Sequence, residues 1–162
     1  MDSGVVVILD ALGMKGVWSR EDPSVVVRSW ESVLATFQRR QELLMDTPLS
    51  QLHLEVTVFS DTIILTAEAK EPGWVLPLMA ELLRPAFCNA MYVDRVFLRG
   101  AMSIGKFYRS RSLVIGPAVD DAVQWHAVAD WIGVIMTPSA SYELDYLVDV
   151  HAGSDERSAV WL

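Results

Sequence analysis

Two apolar segments, each associated with an aspartate, limit the folds that this chain can adopt. Residues 5–9 form an unbroken aliphatic run that ends at Asp10, a pattern typical of a central strand covered on both faces. Residues 59–65 place Ser60 and Asp61 between two strand-like runs, which predicts a hairpin with Asp61 at its turn. We therefore expect a sheet core in which both carboxylates lie at strand ends.

The length and composition favour a single domain with a partner surface. The 162 residues are enough for one sizeable core, so we expect one domain over 1–162. Hydrophobic residues make up 52% of the chain, which indicates either a large core or apolar surface covered by a partner, and we expect a homodimer. The net charge of −8 argues against nucleic-acid binding, which depends mainly on Lys and Arg neutralising phosphates.

Targeting features predict a cytoplasmic protein that is not bound to a membrane. No apolar run approaches the roughly 20 residues that span a bilayer, and the first residues lack the basic character of a secretory signal. The single cysteine, Cys88, excludes a disulfide within the chain. Because Cys88 falls inside an apolar helical pattern, we expect its thiol to be buried.

The periodicity along the chain predicts an α+β fold. Helices are predicted over 22–45, 74–92, 118–129 and 138–147, and strands over 4–9, 52–59, 62–66, 96–104, 107–115 and 131–136. The first six elements have the order βαββαβ, which is that of a ferredoxin-like sheet with helices on one face. A C-terminal hairpin, with its turn beginning at Gly105, and further helices are expected to follow this core.

The two aspartates are candidates for a metal site. In a ferredoxin-like sheet the first strand lies beside the hairpin of the second and third, so Asp10 and Asp61 are expected at one edge. Mg²⁺ is usually held by one or two carboxylates together with substrate phosphates, and such a pair can bridge two ions in phosphoryl transfer. Aspartate also favours turns at strand ends without any ligand. The residues alone therefore leave both interpretations open.

Positive charge is concentrated in a stretch that contains no Asp or Glu. Residues 95–119 hold five cations: Arg95, Arg99, Lys106, Arg109 and Arg111. In an acidic protein such a cluster is a candidate site for a small polyanion. A solvated hairpin explains the same composition equally well.

Four segments resemble, in order, motifs of the class III nucleotide cyclases over roughly residues 5–139. The segment at the end of the first strand, Asp10-Ala11-Leu12-Gly13-Met14-Lys15, resembles D-x-x-G-F-[ST]. Ser60-Asp61 resembles the Gly-Asp hairpin, residues 99–105 resemble R-x-G-I-x-x-G, and residues 116–122 resemble G-x-x-V-N-x-A. The closest likeness is to the Pycsar-type pyrimidine (cytidylate or uridylate) cyclases of bacterial anti-phage signalling, whose F-S-D-S-I and R-G-x-x-S-I-G-K-x-Y motifs are similar to residues 59–63 and 99–108.

The resemblance implies an enzyme of the lyase class that converts UTP or CTP to a 3′,5′-cyclic nucleotide and pyrophosphate. The product would be a second messenger of antiviral defence, made at the interface of a homodimer. The resemblance further implies two Mg²⁺ or Mn²⁺ ions on the catalytic residues Asp10 and Asp61, with the Ala11 carbonyl as a third ligand. It assigns the triphosphate to the main-chain N–H groups of Leu12, Gly13, Met14 and Lys15 and to the side chains of Lys106, Arg109 or Arg111.

The opposite wall of the implied site departs from the purine cyclases. Asp120 and Gln124 occupy the positions at which those enzymes carry Asn and the transition-state Arg. Leu113 and Thr57 replace the Asp and Lys that recognise the base. The alternative is therefore a catalytically inactive cyclase-like module that binds a nucleotide or a partner. Arg99, inside a strand, is expected to be structural or at a subunit contact.

Overall fold

The computed structural model describes residues 1–45 and 52–152, so residues 46–51 and 153–162 of the predicted domain lie outside the described part. The strands are β1 (Asp2–Leu12), β2 (His53–Phe59), β3 (Thr62–Glu68), β4 (Phe97–Ser110), β5 (Leu113–Ile115) and β6 (Gly133–Met136). The helices are α1 (Val17–Arg20), α2 (Pro23–Met45), α3 (Val75–Asn89), α4 (Pro117–His126) and α5 (Pro138–Ala152). A 3₁₀ turn, Pro72–Trp74, precedes α3, and a π-helical turn, Ala90–Asp94, follows it.

The described strands form one sheet in the order β2-β3-β1-β4-β5, with β6 paired to β4. All pairs on the main path are antiparallel, and β6 runs parallel to β4. This is the ferredoxin-like arrangement with β1 in the centre, which confirms the predicted fold class. The register places Asp10 opposite Thr62 on β3 and opposite Arg99 on β4.

Side chains of β1 are buried on both faces of the sheet. One face joins the main core beneath α2 and α3, and its members include Val5, Val7, Leu9, Val33, Phe37, Leu76 and Met79. The other face packs against α4, through Val6, Ile8, Phe107, Ala118, Val119 and Ala122. Burial on both faces explains the unbroken aliphatic run in the sequence. Because side chains alternate along a strand, Asp10 continues the α4 side of the sheet.

The start of α2 follows from its first residues. The Asp22 carboxylate accepts a 2.7 Å hydrogen bond from the Ser24 main-chain N–H. Hydrogen bonding to the Ser24 side chain, and next to this main-chain N–H, lowers the pKa of Asp22 below its ordinary value. Pro23, which has no N–H to satisfy, occupies the first helical position. The predicted start of the helix is therefore confirmed.

The predictions for Gly105 and Cys88 are wrong. Strand β4 continues through Gly105, which lies directly opposite Gly4 on β1, and the hairpin turn falls after Ser110. A side chain on Gly4 would come within 2.0 Å of the Ala67 carbonyl oxygen, so this part of the sheet requires close backbone approach and not a turn. Cys88 is exposed because the buried side of α3 is formed by other residues, among them Leu82 and Ala86. In the described residues, no helix is both long and apolar enough to cross a membrane.

Candidate metal and nucleotide site

The structure brings Asp10 and Asp61, here called the aspartate pair, to neighbouring strand ends. Asp10 lies opposite Thr62, the first residue of β3, and Asp61 occupies the turn just before it. The Ala11 N–H donates a 3.0 Å hydrogen bond to the Asp61 carbonyl oxygen. The backbone ladder, and not side-chain packing, therefore sets the position of one aspartate relative to the other.

Arg99, which the sequence predicted to be structural or at a subunit contact, lies beside Asp10 within one subunit. Its Nη2 lies 3.4 Å from Asp10 Oδ2, and the two side chains are 23% and 22% exposed. Among the described residues, the Arg99 Nε is buried without a hydrogen-bond partner. The signal that identifies Arg99 is the register between β1 and β4, which periodicity alone does not supply.

The predicted phosphate-binding segment divides into a strand and a loop. Leu12 lies opposite Phe97 and so belongs to β1, whereas Gly13 and Gly16 adopt left-handed φ values of 81° and 74°. Left-handed positions in a short loop let successive N–H groups converge on an anion. The Arg20 Nη2 donates a 2.9 Å hydrogen bond to the Gly13 carbonyl oxygen and so ties this loop to α1.

A cavity of about 390 Å³ adjoins the loop and Asp61, and Asp10 is not among its lining residues. Its polar lining comes from Lys15, Glu31, Ser60 and Asp61, and its apolar lining from Met14, Trp18, Val27, Trp30, Leu34 and Val58. Small-molecule sites typically have volumes of about 300–1,000 Å³ and combine apolar walls with a few polar groups. The cavity therefore has the size and character of a ligand site.

Two cations of the basic stretch, Lys106 and Arg111, lie away from the aspartate pair within one subunit. Lys106 is opposite Ser3, seven residues from Asp10 along β1, which corresponds to about 23 Å. Arg111 is exposed in the turn between β4 and β5. One subunit therefore does not bring these two predicted triphosphate ligands beside the aspartate pair.

Arg109 is engaged in contacts of its own at the same distant end of the sheet. Its guanidinium pairs with Glu68 at 2.8 Å and with Glu55 at 3.2 Å, and it donates to Thr66 Oγ1 and the His53 carbonyl. The side chain is only 9% exposed. These contacts hold β4 to β2 and β3, so they give Arg109 a structural role.

The predicted opposite wall faces away from the core of the subunit. Asp120 and Gln124 are exposed on α4, which packs on the sheet through other residues, and Leu113 is exposed on β5. Thr57 is half-buried on β2 opposite Ile64. These side chains are thus accessible to a second subunit.

The donor set of the aspartate pair fits Mg²⁺ or Mn²⁺. Carboxylate and carbonyl oxygens are the hard ligands that these ions prefer. Within residues 1–45 and 52–152, no cluster of three or more His, Cys, Asp or Glu residues is arranged to hold a metal. A site with two carboxylates leaves coordination positions for substrate phosphates and water, which is how Mg²⁺ is usually bound.

No protein-family model and no curated protein sequence matches the chain. Solved structures do match it. The catalytic core of a rhodopsin-guanylyl cyclase with converted specificity, in complex with ATPalphaS, superposes with a TM-score of 0.62 at 11% identity, covering 88% of this chain and 81% of that one. The monomeric guanylyl cyclase domain of the RhoGC fusion protein from the aquatic fungus Blastocladiella emersonii superposes with a TM-score of 0.62 at 11% identity. The match covers 90% of this chain and 86% of that one.

A bacterial light-regulated adenylyl cyclase is also similar, with a TM-score of 0.54 at 14% identity over 83% of this chain and 75% of that one. In this chain the sheet is antiparallel along its main path, with β1 at its centre. The fold of this chain is that of the class III guanylyl and adenylyl cyclase catalytic domains.

Proposed function

We propose that the protein is a nucleotidyl cyclase that converts a nucleoside triphosphate to a 3′,5′-cyclic nucleotide and pyrophosphate. The observation that carries the proposal is the aspartate pair, held on neighbouring strand ends by the Ala11–Asp61 hydrogen bond in a fold shared with cyclases. The resemblance of the Asp10 and Asp61 segments to cyclase motifs supports the same function. Two oxygen-donor side chains at one edge suit a reaction at phosphorus.

In this reaction the ribose 3′-oxygen forms a bond to the α-phosphorus and gives up its proton. The bond from the α-phosphorus to the oxygen that bridges to the β-phosphate breaks, and pyrophosphate leaves. Catalysis of this kind depends on positioning and on stabilisation of negative charge. Mg²⁺ or Mn²⁺ ions, held by Asp10, Asp61 and the Ala11 carbonyl, would supply much of that stabilisation.

The chain's own residues would bind the polyphosphate beside this site. The loop that begins at Gly13 offers N–H groups, and Lys15 places a cation on the lining of the same cavity. The proposal leaves Arg109 out, because its guanidinium is already paired with Glu55 and Glu68. Positioning of the terminal phosphates is thus assigned to the loop.

A pyrimidine triphosphate, UTP or CTP, is the proposed substrate. Its support is the Pycsar-type likeness together with Leu113 and Thr57, which replace the charged base-recognition residues of purine cyclases. The cyclic product would serve as a second messenger in anti-phage defence.

We propose a homodimer with active sites at its interface. Phe59, 79% exposed beside the aspartate pair, and the exposed Leu113 and Ile115 provide apolar surface for such a contact. The aspartate pair of one subunit would face Asp120 and Gln124 of the other. A second subunit is also the means by which Lys106 or Arg111 would approach the triphosphate.

The test is incubation of the purified protein with each of the four nucleoside triphosphates and Mn²⁺, followed by identification of the product. We expect a cyclic pyrimidine nucleotide and its loss in Asp10→Ala and Asp61→Ala. Asp145→Ala, an exposed change on α5, is the matched control. Folded, dimeric protein that makes no cyclic product from any substrate would refute the enzymatic proposal.

The second candidate is a cyclase-like module that binds a nucleotide without turnover. Asp120 favours it, since this acid is exposed in the first turn of α4 where purine cyclases carry Asn. Gln124 likewise lacks the positive charge of their transition-state Arg. Calorimetric binding of a magnesium–nucleotide complex with no product after long incubation would favour this candidate over the enzyme.

A further inference from the structure

We infer that the cavity lined by Trp18 and Trp30 is a second ligand site, which takes a small organic cation with an apolar body. The ligand class is an amine that is protonated near neutral pH and carries an aromatic or aliphatic group. The proposed cyclase reaction does not require such a ligand, so this site goes beyond the proposed function. Three features of the cavity support it: its position, its lining and its charge.

The cavity lies on the face of the sheet opposite to the Asp10 side chain. Three of its lining residues, Met14, Trp30 and Val58, pack against the core cluster beneath α2 and α3. Asp10 instead continues the alternate side chains of β1 that pack against α4. A nucleotide bound through metal ions on Asp10 would therefore leave this cavity free for another ligand.

Two tryptophans give the cavity aromatic walls. Trp18 on α1 is 59% exposed and Trp30 on α2 is half-buried, and both line the cavity. The faces of indole rings attract cations, and aromatic side chains of this kind form the sites that recognise ammonium ligands. The volume of about 390 Å³ corresponds to about a dozen atoms of the size of a water molecule. The cavity therefore suits a ligand with one ring or a short chain and a single head group.

The charge of the lining favours a cation over an anion. Glu31 and Asp61 contribute two carboxylates and Lys15 contributes one ammonium group, which leaves one negative charge in excess. Within the described part of the chain, none of these three side chains forms an ion pair. Both carboxylates are therefore available to a ligand, and the net charge of −8 on the whole chain attracts cations further.

The experiment compares three compounds that share one apolar body and differ in the head group: 3-phenylpropylammonium, 3-phenylpropanol and 3-phenylpropanoate. Each is titrated into the full chain without nucleotide or metal, and binding is followed by calorimetry and by the indole N–H signals in NMR spectra. We expect the ammonium compound to bind at least about fivefold more tightly than the alcohol, and the carboxylate to bind most weakly. The signals that shift should be those of Trp18 and Trp30, assigned with Trp18→Phe and Trp30→Phe, and not that of the exposed Trp131.

Two matched pairs of variants locate the site. Val25 and Val27 are both 45% exposed on α2, and of the two only Val27 lines the cavity. Val27→Phe should occupy part of the cavity and weaken binding of the ammonium compound about tenfold or more, whereas Val25→Phe should bind like the wild type. Glu31→Gln should reduce the preference for the ammonium compound over the alcohol about threefold or more. Glu42→Gln, exposed on the same helix and outside the lining, should keep that preference, and thermal melts establish that each variant is folded.

Three contrary outcomes would overturn the inference. Equal binding of the three compounds, or tighter binding of the carboxylate, would show that the site does not select a cation. Binding that Val27→Phe leaves unchanged, or that shifts neither the Trp18 nor the Trp30 signal, would put the ligand outside this cavity. Absence of binding by the ammonium compound would leave no site at all. None of these results bears on the aspartate pair, whose test is the formation of a cyclic product, so the two proposals fail separately.

Discussion

Asp10 and Arg99 face each other across β1 and β4, with Asp10 Oδ2 3.4 Å from Arg99 Nη2. The pair lies at the end of β1 where its hydrophobic run stops, so each partner shields the other's charge at the boundary of the core. Asp10 therefore has two roles, as a proposed metal ligand and as the partner of a partly buried cation, and Asp61 shares only the first.

Because of this difference, the same aspartate-to-asparagine substitution should affect stability differently at Asp10 and at Asp61. Asp10→Asn leaves Arg99 without its counter-ion and should lower the free energy of unfolding by about 1–2 kcal/mol. Asp61→Asn makes the same change in the hairpin turn and should leave stability nearly unaltered. Both should abolish cyclase activity. Urea denaturation compares the variants, and equal stabilities would show that the ion pair contributes nothing to the fold.

Arg109 is predicted to be needed for folding. Arg109→Met removes the partner of Glu55 and Glu68 at a site where the arginine is 9% exposed, and it should destabilise the protein by about 2 kcal/mol or more. Arg111→Met, two residues away in an exposed turn, is the control and should melt like the wild type. If Arg109→Met melts normally and loses only nucleotide affinity, the structural role is wrong.

Ser60 is predicted to be strained. Its φ of 56° lies in the left-handed region, where a side chain is unfavourable and glycine is not. Ser60→Gly should therefore raise the free energy of unfolding by about 0.5–1 kcal/mol. Ser60→Ala keeps the strain and should give no such gain. Thermal denaturation of both variants checks the prediction, which a destabilised Ser60→Gly would contradict.

Arg20 is predicted to support the loop at Gly13 without supporting the fold. Arg20→Ala removes the 2.9 Å bond to the Gly13 carbonyl and should weaken binding of a manganese–nucleotide complex about two- to tenfold. The melting temperature should not change, because Arg20 is exposed. Arg28→Ala, exposed on α2, serves as the control in calorimetry. Unchanged affinity in Arg20→Ala would show that the loop holds its shape without this bond.

Local sequence patterns were sufficient to predict the order of the main helices and strands. They also predicted that Asp10 and Asp61 lie at strand ends. The aliphatic run before Asp10 and the turn residues Ser60 and Asp61 each depend on neighbours within a few positions. The Asp22–Pro23 start of α2 is equally local. Physical preferences of this kind act along the chain, so they are visible without the fold.

The remaining features depend on register between strands that are distant in sequence. Gly105 has the composition of a turn but serves the close approach of β4 to β1, which only its pairing with Gly4 reveals. Arg99 and Arg109 belong to one basic stretch, yet they lie ten residues apart on β4 and contact different carboxylates. Composition showed that this stretch is positively charged, but it did not show which carboxylates Arg99 and Arg109 would contact.

The Ala11–Asp61 hydrogen bond and the β1–β4 ladder hold Asp10, Asp61 and Arg99 through main-chain atoms. Nearly every residue type supplies the same N–H and C=O groups, so the spacing of these three charges does not depend on which side chains surround them. Substitutions of the surrounding side chains should therefore leave the spacing of these charges unchanged as long as the strands keep their pairing. The charged centre depends on the backbone, and the surrounding walls are the part that can change without moving it.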